Sequence, residues 1–311
     1  MILEQFQQMG FKSEAVELTP ETLLAADFPV AWHTIGGVVP VDNMNERRVR
    51  RAALSPLQPV GGAFVGNASG TFEPVPSGTD GTAPAWYQLL AAAGGTVSTD
   101  VVTFGAQATS YAPIGTACTI EHRDGAYQRI LAGARIETMR FYAERGDLWL
   151  CDFTAVGRYS QTAQANFLST SLPSINGKPF LGHTFSIGGS TVDCASLEIL
   201  ITNVISPVQT GAHASGNGKN VITEQRCTIT AVILDEGVDY RDKHRNDAAS
   251  DLLAISAQMS AGSAGSVLTW TGNLAVMDNP AVEYREGNGY RTIAGEFVAS
   301  STGAILTLTQ S

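Results

Sequence analysis

The sequence has few charged side chains. Asp, Glu, Lys and Arg make up 15% of its 311 residues, whereas about a quarter is usual in globular proteins. Hydrophobic residues contribute 44% of the chain and glycines number 32, so it can build a core and has many potential turns. Because disorder requires low hydrophobicity and high net charge, this composition predicts a β-rich globular protein. The length predicts about two domains.

Basic residues are scarce too. The chain has 19 Lys and Arg against 29 Asp and Glu, a formal net charge of −10 at pH 7. Tight binding to nucleic acid depends on clustered basic residues that displace counterions from phosphates. The charge balance therefore argues against tight, static binding to DNA.

Long apolar runs are missing. No stretch approaches the roughly 18 unbroken apolar residues of a membrane helix. The opening residues, MILEQFQQMGFKSE, lack the basic start and the apolar segment of a secretion signal. We therefore expect neither membrane binding nor a cleaved leader.

The usual signatures of catalysis and metal binding are also absent. The sequence contains no GxSxG, HExxH or GxGxxG motif, and no histidine has a His or Cys at metal-ligand spacing. We expect no enzyme activity, no catalytic or metal site and no cofactor. The cysteines lack CxxC spacing, which predicts reduced core thiols in a protein made in a cytoplasm: Cys118, Cys151, Cys194 and Cys227.

The chain contains an internal repeat. Thr119–Ile136, TIEHRDGAYQRILAGARI, aligns without gaps with Ala281–Val298, AVEYREGNGYRTIAGEFV, at an offset of 162. Leu89–Ala91 matches Leu252–Ala254 at an offset of 163. Repeats of this kind indicate duplicated structural units. The sequence therefore predicts two similar domains, residues 1–160 with an N-terminal arm and residues 161–311.

Each half has the same predicted order of elements. A first strand leads into a long loop, a return strand and a short helix, and period-two alternation marks the strands. Apolar residues at helical spacing mark the helices. The predicted strands are Val38–Val41, Val60–Val75, Ser196–Val204 and Val221–Asp235, the loops are Asn43–Pro56 and Ile205–Asn220, and the helix core residues are Trp86, Leu89, Leu90, Leu252, Leu253 and Ile255.

The fold class that follows is mainly β with short helices (α+β). It would consist of two tandem domains, each an antiparallel β unit with one packed helix. Near the middle of the chain, strands at Arg135–Ala143 and Asp147–Val156 should be joined by a turn at Arg145-Gly146.

One loop carries a cluster of basic residues, Arg47, Arg48, Arg50 and Arg51. Two interpretations remain open. The cluster is either a solvated hairpin tip or a surface that docks on an acidic patch of another subunit.

Four segments follow one another along the chain: GFKSE at Gly10–Glu14, RRVRRAALSPL at Arg47–Leu57, SGTDGTAPAWYQLLAAAGG at Ser77–Gly95, and Thr119–Tyr159, which is the most telling. In this order and spacing they resemble the major tail tube protein of long, non-contractile-tailed bacteriophages. The sequence departs from the family pattern at Pro74 and Pro76, which interrupt the return strand, and in the linker at 158–190.

The resemblance implies a structural virion protein with a β-sandwich or barrel-like subunit. Such subunits form stacked rings, assembled in the host cytoplasm, and the resulting tube carries genome DNA into the host. The implied partners are further copies of the chain, a tape-measure protein, a tail terminator and a distal tail protein, with double-stranded DNA passing transiently and non-specifically through the lumen. Two domains per chain predict a ring of three chains with pseudo-sixfold symmetry.

Other arrangements and functions remain open. A ring could instead contain six chains, with the second half as an outer decoration. The chain could also be a secreted or virion β-sandwich binding module of adhesin or lectin type, or a hydrolase that uses scattered carboxylates.

Two sets of residues are candidates for the tube surfaces. The predicted inter-ring contacts are Arg47, Arg48, Arg50, Arg51, Gln209, His213 and Lys219. The predicted lumen-facing residues lie opposite the core stripe of their strands: Glu73, Glu198, Thr228, Thr230 and, less strongly, Glu137.

Overall fold

The computed structural model is built almost entirely from antiparallel strands. It describes residues 7–28, 30–41, 44–45, 60–61, 64–105, 114–125, 127–163, 167–168, 179–209, 217–234, 253–259, 265–276, 283–285, 288–299 and 303–311.

The strands of the first half surround one α-helix. They are β1 (Gln8–Ser13), β2 (Trp32–Val41), β3 (Met44–Asn45), β4 (Val60–Gly61), β5 (Val65–Phe72), β6 (Thr96–Ser98), β7 (Val101–Phe104), β8 (Cys118–Arg123), β9 (Tyr127–Glu144) and β10 (Leu150–Ala163). Helix α1 spans Tyr87–Ala92, and a short 3-10 helix spans Ala25–Asp27.

The second half contributes strands only, within the residues described. They are β11 (Phe185–Ile187), β12 (Ser190–Thr191), β13 (Cys194–Gln209), β14 (Asn217–Leu234), β15 (Leu253–Gln258), β16 (Leu268–Val276), β17 (Glu283–Arg285), β18 (Asn288–Val298) and β19 (Leu306–Gln310).

The long strands form one sheet that crosses the predicted domain boundary. Their order is β2-β5-β10-β9-β13-β14-β18, and every neighbouring pair is antiparallel. Strand β9 is the branch point, because its first part pairs with β8 while its last part pairs with β13. The fold is therefore mainly β, as predicted, but its strands join across the two halves instead of forming two separate sheets.

A second set of strands also joins the halves. Strand β16 pairs with β15, β18 and β19, and β19 pairs in turn with β7 of the first half. The hydrophobic core lies on the inner side of the long sheet and is continuous from one half to the other. Its aromatic rings form a chain, with centroid separations of 6.1 Å for Phe72–Trp86, 5.8 Å for Trp86–Phe141 and 5.1 Å for Phe141–Trp270.

The helix predicted in the first half is present. Trp86, Leu89 and Leu90 are buried. The backbone N–H of Gly95 donates to Leu90 O at 2.9 Å and that of Gly94 to Ala91 O at 3.1 Å. These two bonds, with Gly94 at φ +92°, form the Schellman ending that glycine favours.

The helix predicted in the second half is wrong over its described part. Leu253 and Ile255 are buried, as predicted, but they lie on β15, whose side chains alternate between buried and exposed. An apolar run of this length fits a helix or a strand equally well, and the β-sheet neighbours β11 and β16 decide the outcome here. Leu252 lies outside the described residues.

The loop predicted at Ile205–Asn220 is much shorter than expected. Strand β13 continues to Gln209 and β14 begins at Asn217, opposite it. Asn220 is fully buried and donates to Gly133 O of β9 at 3.2 Å.

In the first half, β2 begins six residues before the predicted strand, at Trp32 instead of Val38.

Two hairpins of the first half recur in the second. The repeated segments fold as β8–β9 and β17–β18, both antiparallel. Hairpin β2–β5 also corresponds to β13–β14 at an offset of 161, because five successive pairs, from Gly37↔Ser69 to Val41↔Val65, have counterparts from Glu198↔Thr230 to Thr202↔Arg226. The two repeated segments differ in register by two residues, because Glu121↔Ile130 would correspond to Glu283↔Thr292, whereas Glu283 pairs with Tyr290.

Buried amide and guanidinium groups also link the halves. Asn203 donates to the carbonyl oxygens of Ala93 and Ile136, at 2.9 and 2.8 Å. Arg135, 1% exposed, donates to Asn220 O at 3.3 Å and to Glu17 at 3.4 Å. Buried polar groups are costly unless they are hydrogen-bonded, so these contacts hold the halves in one relative position.

The shared core predicts that the unassembled subunit unfolds as a unit. Trp270 is 1% exposed and packs on Phe104 and Phe141 of the other half. We expect Trp270→Ala to lower the free energy of unfolding by about 3–5 kcal/mol, in a single transition that calorimetry can follow. The control Phe64→Ala, at a residue that is 59% exposed, should change the free energy of unfolding by less than about 0.5 kcal/mol. Two separate unfolding transitions, of which Trp270→Ala lowers the midpoint only of the one for the second half, would contradict this prediction.

Candidate assembly and lumen surfaces

The outer side of the long sheet is lined mostly by hydroxyl-bearing and charged residues. Side chains alternate along each strand, so that every second residue enters the core and the others face outward. We call this outward side of β5, β10, β9, β13 and β14 the polar face. Its residues include Ser69, Thr71, Asp152, Thr154, Thr138, Arg140, Glu198, Thr202, Arg226, Thr228 and Thr230.

Strand register places these side chains in rows that run across five strands. One row contains Ser69, Thr154, Thr138, Thr202 and Arg226. Within it the hydroxyl oxygens of Thr138 and Thr154 lie 2.6 Å apart and share a hydrogen bond. The neighbouring row contains Thr71, Asp152, Arg140, Leu200 and Thr228. Both rows cross from the first half into the second without a break.

The structure brings three predicted lumen residues together on the polar face. Glu198 lies opposite Thr230 on one neighbouring strand and opposite Tyr142 on the other, and Thr228 lies one step along β14 on the same side. Glu73 follows the end of β5, where its Oε1 atom is 2.7 Å from His33 Nε2. Glu137 is exposed at an irregularity between Ile136 and Thr138, outside the regular rows.

Two arginines on this face are each engaged by two carboxylates. Arg140 donates from Nη2 and Nε to Glu198 Oε2, at 2.6 and 2.8 Å, and its Nη1 is 3.7 Å from Asp152. The hydrogen bond that Arg140 donates to Glu198 is the main cause that raises the pKa of Arg140. Arg226 lies 3.3 Å from Glu296 and 3.7 Å from Glu224. These pairs contain four carboxylates and two arginines, so the face carries a modest negative charge.

The predicted inter-ring contacts are only partly covered. Arg47, Arg48, Arg50, Arg51 and His213 lie outside the described residues. Gln209 is the last residue of β13, opposite Asn217. Lys219 lies on β14, where its Nζ atom is 3.7 Å from Glu17 of the N-terminal arm, so it contacts its own chain.

Three buried polar residues were not predicted from the sequence: Arg135, Asn203 and Asn220. The burial of Asn203 could be predicted from strand alternation, because Asn203 lies on the same side of β13 as the core residues Leu197, Ile199 and Ile201. Glu14 of the GFKSE stretch is also buried and hydrogen-bonded to distant parts of the chain. Its carboxylate accepts hydrogen bonds from the backbone N–H groups of Leu18 and Gly133 and from the Thr119 hydroxyl, at 2.7, 2.7 and 2.9 Å.

Within the described ranges, no group of three or more His, Cys, Asp or Glu residues is arranged to hold a metal ion. The cysteines are free, and burial raises the pKa of the Cys118 and Cys227 thiols to about 12. No helix among the described residues is both long and apolar enough to cross a bilayer.

The model of one protein family, described as phage tail tube protein, matches residues 8–300. The chain belongs to the phage tail tube protein family. Membership makes it a structural component of the virion tail. No curated protein matches the chain significantly.

Proposed function

We propose that this tail tube protein closes into rings of three chains, which stack to form the tube of a long, non-contractile tail. The polar face would line the lumen, and genome DNA would pass along it during ejection. The observation that carries this assignment is one continuous sheet with a single polar face, in a member of the tail tube family. Assembly would take place in the host cytoplasm.

The stoichiometry follows from the repeat. Hairpins β2–β5 and β13–β14 share strand register, which supports two tube domains per chain, residues 1–160 and 161–311. Three chains would then place six similar domains around one channel. A closed ring needs head-to-tail contacts whose rotations add up to a full turn, and contacts within and between chains would alternate.

The remaining partners belong to the ends and the inside of the tube. A tape-measure protein would occupy the lumen before ejection, and a tail terminator and a distal tail protein would cap the two ends. The polar face would suit transient contact with DNA, because phosphates bind clustered Lys and Arg tightly through counterion release, and the arginines of this face are already engaged by carboxylates.

Electron microscopy tests the ring. We expect purified protein to form rings or tubes, and a reconstruction without imposed symmetry should show three copies of residues 119–136 alternating with three of 283–298 at one radius. Six copies of 119–136, with none of the second-half segment among them, would support the six-chain ring instead. A protein that stays monomeric at all concentrations would contradict the proposed function.

The lumen assignment predicts an effect on ejection. Replacing Glu73 and Glu198 with lysine leaves Arg140 beside a second positive charge and adds phosphate-binding groups to the polar face. We expect tails to assemble and DNA release to slow by about tenfold or more at low salt, with recovery as salt screens the charges. The matched control, Glu73→Gln with Glu198→Gln, should slow release much less. Equal release rates for both doubles would argue against the assignment.

The connection between β13 and β14 should join rings. Since Gln209 and Asn217 are opposite each other, an Asn-Gly turn can replace residues 210–216 without moving either strand. We expect a subunit with unchanged thermal stability that forms single rings but no longer stacks, as sedimentation and microscopy would show. Normal tubes from this variant would refute the role.

Replacing all four arginines of Arg47–Arg51 with alanine should weaken stacking of the rings most at low salt, where charge attraction is least screened.

A further inference from the structure

Strand β8 carries ionisable side chains in the interior of the protein. All six of its residues, Cys118–Arg123, are buried, and the strand pairs with β1 along one edge and with β9 along the other. On one side of the strand, Arg123 donates from Nε to a carboxylate oxygen of Glu121, so these two charges are paired. His122 lies on the other side of the strand, since successive side chains alternate.

His122 has no hydrogen-bond partner among the described residues. It is 4% exposed, and both ring nitrogens are buried and unpaired. Met9 of β1 and Arg129 of β9 lie opposite it on the flanking strands. An unpaired buried polar group costs free energy, and native proteins contain few such groups. The position of this ring therefore needs an explanation beyond packing.

Strand β2 covers the ring of His122. Gly37 follows an irregularity in the pairing of β2 with β5 and has φ +77°. A Cβ atom at Gly37 would lie 2.8 Å from Cε1 of the His122 ring, so glycine is what leaves room for the imidazole. Gly36 and Val39, on either side of the buried pair Gly37 and Val38, are exposed. The cover over His122 is therefore a single strand.

The surroundings of the ring oppose its protonation. Burial is the main cause that lowers the pKa of His122, Asp124 raises it, and Arg129 lowers it. Asp124 is itself engaged by Arg129, whose Nη2 atom is 2.9 Å from Oδ2, and Tyr159 of β10 interacts electrostatically with both. The residues of β1 and β2 that contact or lie opposite the ring, Met9 and Gly37, carry no charge. His122 is therefore neutral at pH 7.

We propose that His122 is an acid-sensitive contact that holds β2 closed while it is neutral and opens the Trp32–Gly37 part of β2 when it gains a proton. A charged imidazole must be hydrated or paired, and beneath Gly37 it is neither. The element that moves is β2, because β8 is paired along both edges whereas β2 pairs only with β5 among the described strands. The inference concerns the single subunit and does not depend on the proposed ring.

Linkage gives the direction of the pH effect. A histidine whose pKa is lowered in the closed form binds fewer protons there than in the open form. Stability of the closed form is therefore complete above the ordinary histidine pKa of about 6.5 and is lost as the pH falls below it. One such histidine changes the equilibrium between open and closed forms by at most about tenfold per pH unit.

Amide hydrogen exchange of wild type and His122→Phe, at pH 7.5 and at pH 5.5, tests the contact. Phenylalanine has a ring of similar shape that fits beneath Gly37 but cannot gain a proton. Comparing the two proteins at the same pH cancels the intrinsic effect of pH on exchange. We expect the ratio of wild-type to variant exchange rates in Trp32–Val41 to rise several-fold, and at most about tenfold, from pH 7.5 to pH 5.5. The ratio for Ala231 of β14 should stay constant.

The matched control is His183→Phe. Burial also lowers the pKa of His183, but its Nε2 atom is 2.8 Å from Pro179 O, and the adjacent Phe180 bonds to Gly146 in the turn after β9. His122 lies beside the start of β9, at the other end of that strand. In the control, β2 should therefore respond to acid as it does in the wild type.

The contrary outcomes are distinct. An unchanged ratio for β2, an equal rise for Ala231, or loss of the acid response in His183→Phe would each overturn the proposal. If His122→Phe does not fold, nuclear magnetic resonance of wild-type protein labelled at histidine decides. The His122 ring should then titrate below pH 6.5, in step with faster exchange of β2, and titration at or above pH 6.5, or without faster exchange, would overturn the proposal as well.

Discussion

The structure depends on the pairing of one strand. Strand β9 is 18 residues long and is bonded to β10 along most of its length, while its other edge is divided between β8 and β13. The first pairing completes the first half and the second starts the second half. Because the backbone hydrogen bonds on both sides must form together, the halves share one sheet, one core and one polar face. The shared sheet thereby holds the two halves of the chain in a fixed relation.

Local patterns in the sequence predicted the parts of the fold that local physics determines. Trp86, Leu89 and Leu90 follow the spacing of one helix face, which predicts α1. Gly94 ends the helix because glycine readily adopts the positive φ that this ending requires. The run around Leu253 has no such ending, and it became a strand because β11 and β16 lie beside it. Tertiary pairing of this kind leaves no mark in the sequence of the strand itself.

The same distinction separates the predicted from the missed site residues. Alternation correctly placed Glu198, Thr228 and Thr230 on one face, since residues two apart on a strand share a side. It could not show that Glu198 is neutralised by Arg140, which is 58 residues away in the chain and becomes its neighbour only through the β9–β13 register. Nor could it show that Arg135 is buried, because its partners come from the N-terminal arm and from β14.

The charge of the polar face bears on how the proposed channel would carry DNA. A net charge of −10 would suggest a strongly repulsive lumen, yet the acids on this face share two arginines or contact hydroxyl groups. A strongly acidic wall would oppose entry of the phosphate backbone, and a basic wall would retain it through counterion release. Paired charges among threonines would reduce both costs, because each arginine is already engaged by a carboxylate. If the polar face lines the lumen as proposed, its hydroxyl groups would exchange hydrogen bonds with water and phosphate alike, so the energy of the DNA would stay nearly constant along the channel.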